Sequence, residues 1–307
     1  MLYDSMQGLV GNTPLVRLGN LGIKSGVNVY AKLELSNPSG SVKDRVGEYM
    51  VADAERSGIL HPGSVIVEAT AGNTGLGIAF AALSRGYRTI FVVPTKFSVE
   101  KLTLMHALGA EIVSTPYELG MLGAEEKAEE LLDSIPDSVS LRQFRNPSNP
   151  RAHYETTGPE IYRDLEGVTH LVAGAGSGGT FTGIMRYLRE RNGDVRGVLA
   201  DPVGSIIGGG EKGSYCIEGI GNDFIADTMD VRYIDLVFKV HDEDAVKWSR
   251  ELARKEGIFA GSSSGAALYA ATELSKTIDA GEVVVILPDR GDRYFSKGLY
   301  AVPGADA

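Results

Sequence analysis

Short runs of β-branched residues alternate along this chain with helical windows, and glycine-rich turns stand at the junctions. The runs Val65-Ile66-Val67, Thr89 to Val93, Glu111-Ile112-Val113, His170 to Ala173, Val198-Leu199-Ala200 and Val283 to Leu287 have the unbroken apolar character of strands covered on both faces. Between them the periodicity predicts helices near Asp44 to Arg56, Thr74 to Arg85, Val99 to Leu108, Glu118 to Ser134, Thr180 to Arg191, Asp242 to Lys255 and Gly265 to Lys276. Strand and helix repeated in this order pack as a largely parallel sheet with helices on both faces, an α/β architecture. Ligands in such folds bind outside the carboxyl ends of the strands, so the turns there are the first place to look for chemistry.

Composition narrows the classes. Hydrophobic residues at 43 % and charged residues at 23 % are ordinary globular values, and 307 residues suggest about two domains. The net charge of −10 argues against nucleic acid or an anionic membrane as partner, since both call for clustered cations. The local basic run Arg186 to Arg191 and the acidic stretch Glu118 to Asp133 read as solvated helix faces. A single cysteine, Cys216, makes no internal disulfide, and neither a leader nor an apolar run of membrane length is seen, so a soluble, cytoplasmic protein is expected. The five histidines are scattered without zinc-ligand spacing, and no metal is expected. The segment Asn146 to Pro150 is the best candidate for a crossing between two halves.

The glycine excess, 39 residues against an average of roughly 7 %, gathers at four stations. In Asn37-Pro38-Ser39-Gly40-Ser41-Val42-Lys43-Asp44, a loop delivers Lys43 to the mouth of a helix, where the dipole disfavours an ammonium and favours the neutral amine that imine chemistry needs. The other reading of Lys43 is an exposed lysine. The second station, Thr70-Ala71-Gly72-Asn73-Thr74-Gly75, follows a strand and opens a helix, with amides and two hydroxyls suited to a carboxylate or phosphate. The third, Gly174 to Thr180, is a run of small residues whose amides can converge on a phosphate. The fourth, Gly261-Ser262-Ser263-Ser264-Gly265, offers three hydroxyls that either cap a helix or serve a ring nitrogen.

Spacing alone leaves a rival. Gly174, Gly176 and Gly179 fit the dinucleotide pattern, and Asp201 ends the next strand at the distance of a ribose-binding acid, so an NAD-dependent dehydrogenase is open. The Walker pattern is absent, and the Gly261 to Gly265 run lacks the downstream histidine of a serine hydrolase. A dehydrogenase has no use for Lys43, the Thr70 to Gly75 loop or the serines. A pyridoxal phosphate enzyme employs all four stations, as imine lysine, carboxylate loop, phosphate cradle and ring-nitrogen partner.

With these stations in order, the sequence resembles the cysteine synthase and cystathionine β-synthase family of fold type II pyridoxal phosphate enzymes, the tryptophan synthase β-like fold. The likeness runs from Gly11-Asn12-Thr13-Pro14-Leu15-Val16 through the stations, Gln143-Phe144 and Asn146 to Pro150, to Glu218-Gly219-Ile220-Gly221, Pro288-Asp289 and Arg293-Tyr294. The resemblance implies two doubly wound domains, a smaller mobile one over 36–146 and a larger one formed by 1–35 plus 147–307. It implies pyridoxal 5'-phosphate held in an aldimine with Lys43, which later acts on the substrate Cα. Asn73 would meet the phenolic oxygen; Gly176, Ser177, Gly178, Gly179 and Thr180 the phosphate; Ser263 the pyridine nitrogen; and Pro288 and Asp289 would complete the cofactor site. Thr70, Ala71, Gly72, Thr74 and Gln143, with Gly219 and Ile220, would bind substrate.

The chemistry implied is β-replacement on O-acetylserine, serine or cysteine through an aminoacrylate, with homocysteine or sulfide as acceptor and ping-pong kinetics. A lyase releasing hydrogen sulfide from cysteine is the alternative within the family. Ala71, where many cysteine synthases have Ser, together with Asp201 to Ser205, Glu218 to Ile225 and Lys96 to Lys101, looks like the bacterial cystathionine β-synthase branch. No haem and no adenosylmethionine control are expected. A homodimer is expected, and Asp223 is a carboxylate that positions the amine of an amino-acid thiol, activates water, or simply lies on the surface.

Overall fold

A computed structural model describes residues 2–70, 72–95 and 98–301. It begins with strands β1 (Leu15–Arg17) and β2 (Val27–Leu33). There follow α1 (Lys43–Arg56), β3 (Val65–Ala69), α2 (Asn73–Leu83), β4 (Arg88–Pro94), α3 (Val99–Ala107), β5 (Glu111–Thr115), α4 (Gly120–Ser134) and β6 (Ser138–Val139). Next come α5 (Ser148–Ala152), a π-turn over His153–Thr157, α6 (Gly158–Asp164), β7 (His170–Gly174), α7 (Gly179–Arg191), β8 (Arg196–Pro202) and β9 (Leu236–Val240). The last are α8 (Asp242–Glu256), α9 (Ser262–Thr277) and β10 (Gly281–Leu287).

These elements form two compact units, one of residues 1–10 and 37–149, the other of 11–36 and 150–307. The first ten residues thus group with the smaller unit, and the edge between the units falls at Asn149 and Pro150. In the smaller unit a four-stranded sheet runs β5-β4-β3-β6, parallel throughout. The larger unit has a six-stranded sheet, β1-β2-β10-β7-β8-β9, parallel except where β1 pairs with β2. Each sheet carries an apolar cluster on either side, such as Val46, Met50 and Leu76 opposite Val67 and Val92 in the smaller unit. Both are doubly wound, which is the α/β class the alternation predicts.

All six expected strands form, each reaching one to four residues further than the apolar run shows. Apart from Ala69, the extensions are polar or turn-forming positions, such as Arg88 and Arg196, that the parallel ladder recruits. Four strands, β1, β2, β6 and β9, have no counterpart in the periodicity reading. In β2, Asn28 and Lys32 interrupt the apolar run, and β9 lies at a sheet edge. Lys32 is tolerated at full burial because its Nζ meets Glu160 at 2.7 Å and the Thr13 carbonyl at 2.6 Å. Among the described residues no helix is long and apolar enough to cross a membrane.

Candidate active site

Lys43 is the first residue of α1, and its amide donates to Ser41 Oγ at 3.3 Å. The preceding turn is fastened by Asp44, whose fully buried carboxylate accepts from the Ser39 amide at 2.6 Å and from the Ser39 hydroxyl. Two glycines then set the helix in place. A Cβ on Gly77 would collide with the Lys43 carbonyl, and one on Gly47 with the Gly77 carbonyl, so α1 and α2 cross backbone to backbone. The lysine therefore stands on a helix start that cannot slide along its neighbour.

The loop that begins at Thr70 leaves β3 and ends as α2 begins at Asn73. Thr70 and Thr74 are both buried, and the Thr74 hydroxyl donates to Gln143 Oε1 at 2.6 Å, joining residues 69 positions apart. Gly72 has open space where a Cβ would stand. Ala71 lies outside the described residues, as do Lys96 and Phe97. Gln143 is held through its own carbonyl, which accepts from Asn149 Nδ2 at 3.0 Å.

Glu68, one residue before the strand end, has no role in the sequence reading. Its carboxylate accepts from the Arg142 amide at 2.9 Å, the Ser140 hydroxyl at 3.1 Å and the Leu141 amide. It thereby ties the strand that delivers Thr70 to the segment that delivers Gln143. Burial pushes its carboxyl above the usual carboxylate range, against the pull of those donors. A charge inside an otherwise apolar strand was the available signal.

In the larger unit, the Gly174 to Thr180 loop joins β7 to α7. Its carbonyls are taken: Ala175 O accepts from the Gly221 amide at 2.7 Å, Gly176 O from Asn222 Nδ2 at 3.1 Å, and Ser177 O from Thr228 Oγ1 at 2.6 Å. Gly178 takes a left-handed φ of 78°, and no side chain caps α7. With its acceptors occupied and its helix start uncapped, the loop presents a donor face, which suits an anion. Its glycines are packed tight: a Cβ on Gly176 would stand 2.6 Å from Gly219 O, and one on Gly174 2.5 Å from Ile220 Cγ2. Gly219 and Ile220 thus buttress the loop directly. Asn222, Thr228 and His153, absent from the sequence-level site, are brought to it by long-range folding.

The serine run starts α9 three residues earlier than the periodicity suggested. Its three hydroxyls are not equivalent. Ser262 Oγ accepts from the Glu218 amide at 3.3 Å, and the buried Ser264 Oγ has no partner among the described residues. Ser263 lies between them at 3 % exposure. Asp289 is buried after Pro288, accepts from Tyr294 Oη at 2.5 Å, and its carbonyl accepts from the Gly261 amide at 3.1 Å. Burial first, then the Asp289 charge, push the Tyr294 phenol well above its ordinary range, so it remains a donor.

Asp201 does not serve the dehydrogenase reading. It is fully buried, with Oδ2 accepting from Lys239 Nζ at 2.5 Å and the Gly208 amide at 3.0 Å. Its carboxylate fastens a neighbouring loop and is not offered to a ribose. Asp223 is paired with Lys212 at 2.5 Å, and that hydrogen bond holds its carboxyl below the usual range.

The sequence profile of the pyridoxal-phosphate dependent enzymes matches residues 6–289. The chain belongs to that family. Its cofactor is accordingly pyridoxal 5'-phosphate, and the residues present fit that group: a lysine at a helix start, a donor-only loop for a phosphate, and a buried serine run. The chain is 51 % identical over 294 residues to the O-acetylserine dependent cystathionine beta-synthase of Bacillus subtilis, covering 95 % of this chain and 96 % of that protein. It is 45 % identical over 304 residues to a cysteine synthase of Helicobacter pylori, covering 98 % and 99 %. A solved O-acetylserine dependent cystathionine beta-synthase from Helicobacter pylori superposes with a TM-score of 0.93 at 45 % identity, over 98 % of this chain and 99 % of that one. These likenesses place the chain with the cysteine synthase and cystathionine β-synthase enzymes, fold type II, as the motifs implied.

Proposed function

We propose that this enzyme replaces the β-substituent of O-acetylserine, serine or cysteine, with homocysteine or sulfide as the acceptor, giving cystathionine or cysteine. The observation that carries the reading is the pairing of Thr74 with Gln143 on the unit that also bears Lys43. It builds a polar pair for an amino-acid carboxylate on the unit that supplies the amine. The names of the relatives in Bacillus subtilis and Helicobacter pylori favour O-acetylserine as donor and leave both acceptors in play.

When bound, pyridoxal phosphate supplies an electron sink conjugated to the substrate's Cα. In this reading Lys43 holds the cofactor's carbonyl carbon through its amine and later moves the proton at Cα. Asn73 orients the phenolic oxygen. Thr70, Thr74 and Gln143, with the backbone of Ala71 and Gly72, bind the carboxylate, while Gly219 and Ile220 border the substrate. Gly176, Ser177, Gly178, Gly179 and Thr180 receive the phosphate, supported by Pro288 and Asp289. Ser263 offers the ring nitrogen a neutral hydroxyl, which does not favour its protonation as a carboxylate would, so loss of a β-leaving group is preferred over transamination. Movement of 36–146 against the rest, a homodimer and a cytoplasmic location belong to the same proposal.

The test begins with colour. Purified with cofactor, the wild type shows a visible absorbance band that Lys43→Ala lacks, and turnover of the variant falls by at least about a thousandfold. A colourless wild type ends the reading. Offering sulfide, homocysteine and cysteine separately with O-acetylserine or serine then assigns the acceptor, and release of hydrogen sulfide from cysteine alone moves the assignment to the lyase.

A further inference from the structure

We propose that His153 is a positioning residue for the cofactor's phosphate, acting through the hydroxyl of Thr180. The inference rests on the Gly176 to Thr180 loop being the phosphate cradle. His153 is fully buried at the start of the π-turn between α5 and α6. Its Nδ1 lies 2.9 Å from Thr157 Oγ1, and its Nε2 lies 3.1 Å from Thr180 Oγ1. A buried side chain thus links the turn to the second residue of α7 inside the larger unit.

The direction of these bonds follows from what Thr180 has to do. A hydroxyl owns one proton. To give it to a phosphate oxygen, Thr180 Oγ1 cannot also donate to His153. It must accept instead, which places a proton on Nε2. Nδ1 of the neutral imidazole is then an acceptor, and Thr157, one turn along, has the hydroxyl to satisfy it. The chain of donors runs from Thr157 to His153, to Thr180 and outward to the anion. The opposite tautomer would turn the lone pairs of Thr180 toward the phosphate.

Packing holds the relay in register. Gly183 lies three residues after Thr180 in α7, and a Cβ there would stand 2.8 Å from His153 Cβ and 2.9 Å from the Tyr154 amide. On the other side of the turn, a Cβ on Gly158 would stand 2.7 Å from Tyr187 Cβ. Helix α7 and the π-turn therefore meet with no room for the imidazole to withdraw. The one-residue expansion of a π-turn, a feature often found at functional sites, sets His153 in this contact.

Pyridoxal phosphate is titrated into resolved apoenzyme of the wild type, His153→Ala, His153→Gln and Thr157→Val, with circular dichroism to establish folding and ³¹P NMR of the bound phosphate. His153→Ala is expected to weaken binding by about ten- to hundredfold and to move the ³¹P resonance, as loss of a charge-assisted donor chain does. His153→Gln restores most of the affinity, because its amide N–H can stand where Nε2–H stands. Thr157→Val, nearly isosteric, weakens binding severalfold. Binding of His153→Ala within about twofold of wild type overturns the proposal, as does a loss that Gln does not restore, which marks a packing role. Should His153→Ala not fold, an unchanged Thr157→Val overturns it. A wild type that binds no pyridoxal phosphate overturns the cradle assignment itself, a result distinct from wild-type binding with indifferent variants.

Discussion

The two loops proposed for anions differ in how their glycines are packed: Gly75 is crowded by Met105 and Thr70 much as the Gly174 to Gly178 glycines are crowded, and Gly72 is not. In the Gly174 to Thr180 loop of the larger unit, proposed for the phosphate, the glycines at 174, 176 and 178 have no room for a methyl group, and three successive carbonyls are already bonded. In the loop of the smaller unit proposed for the substrate carboxylate, Gly72 faces open space, and the fastening lies at its ends, at Glu68 on one side and Thr74 with Gln143 on the other. A cofactor that stays bound is served by a preorganised cradle, since little ordering is left to be done on binding. A substrate that enters and leaves at every turnover is served by a loop anchored at its ends with room at Gly72. On the proposed assignment, close packing separates the permanent guest from the transient one.

Gly176→Ala attacks the packed side of this contrast and is expected to have the largest effect on cofactor binding. The new methyl meets the Gly219 carbonyl, so destabilisation of about 1–3 kcal/mol should accompany cofactor binding weaker by at least about tenfold. Thermal melting and a pyridoxal phosphate titration would show both. A variant that melts and binds like wild type would mean that the loop is no more rigid than its counterpart.

Glu68→Ala tests the anchored end of the other loop. Two amides and a hydroxyl lose their acceptor, a cost of about 3 kcal/mol, and the KM for the amino-acid substrate should rise more than kcat falls. Glu68→Gln keeps the acceptor oxygen without a charge to bury. Because burial raises the Glu68 pKa in the folded state, its contribution to stability is full below the ordinary glutamate pKa and fades as pH climbs through the raised value. Glu68→Gln should therefore gain in melting temperature over wild type at neutral pH and gain little in acid. An equal shift at both pH values would show that the carboxylate is not desolvated as the structure has it.

Tyr294→Phe removes the phenol that donates to Asp289, and a loss of about 1.5–3 kcal/mol is expected for a buried hydrogen bond to a charged group. Denaturant unfolding measures it. Gly72→Ala is the mildest change: its backbone φ of −121° suits alanine and no neighbour lies within reach, so melting should stay within about 0.5 kcal/mol of wild type. A large loss there would erase the distinction between Gly72 and the packed glycines.

Much of this was legible in the chain itself. The four stations fall at strand ends and helix starts where the alternation placed them, because glycine, proline and small hydroxyl residues act on their own backbone within a few positions. Lys43 opens α1, Asn73 opens α2, and the serine run opens α9. The partners were not legible. Glu68 looked like one charge in a strand, and His153 like one of five scattered histidines. Asp201 matched a ribose-binding acid by spacing until burial and Lys239 gave it another role.

The amino-acid order by itself determined the strand and helix alternation, the loops that bear polar groups, and a set of motifs sufficient to name the family. Those properties depend on neighbours a few residues apart. Tertiary structure alone decided who meets whom: Thr74 with Gln143, Glu68 with Arg142, Thr228 with Ser177, and His153 with both Thr157 and Thr180. A hydrogen bond between distant positions has no local signature. Its partners are selected only when the sheets close and each buried donor must find an acceptor within about 3 Å.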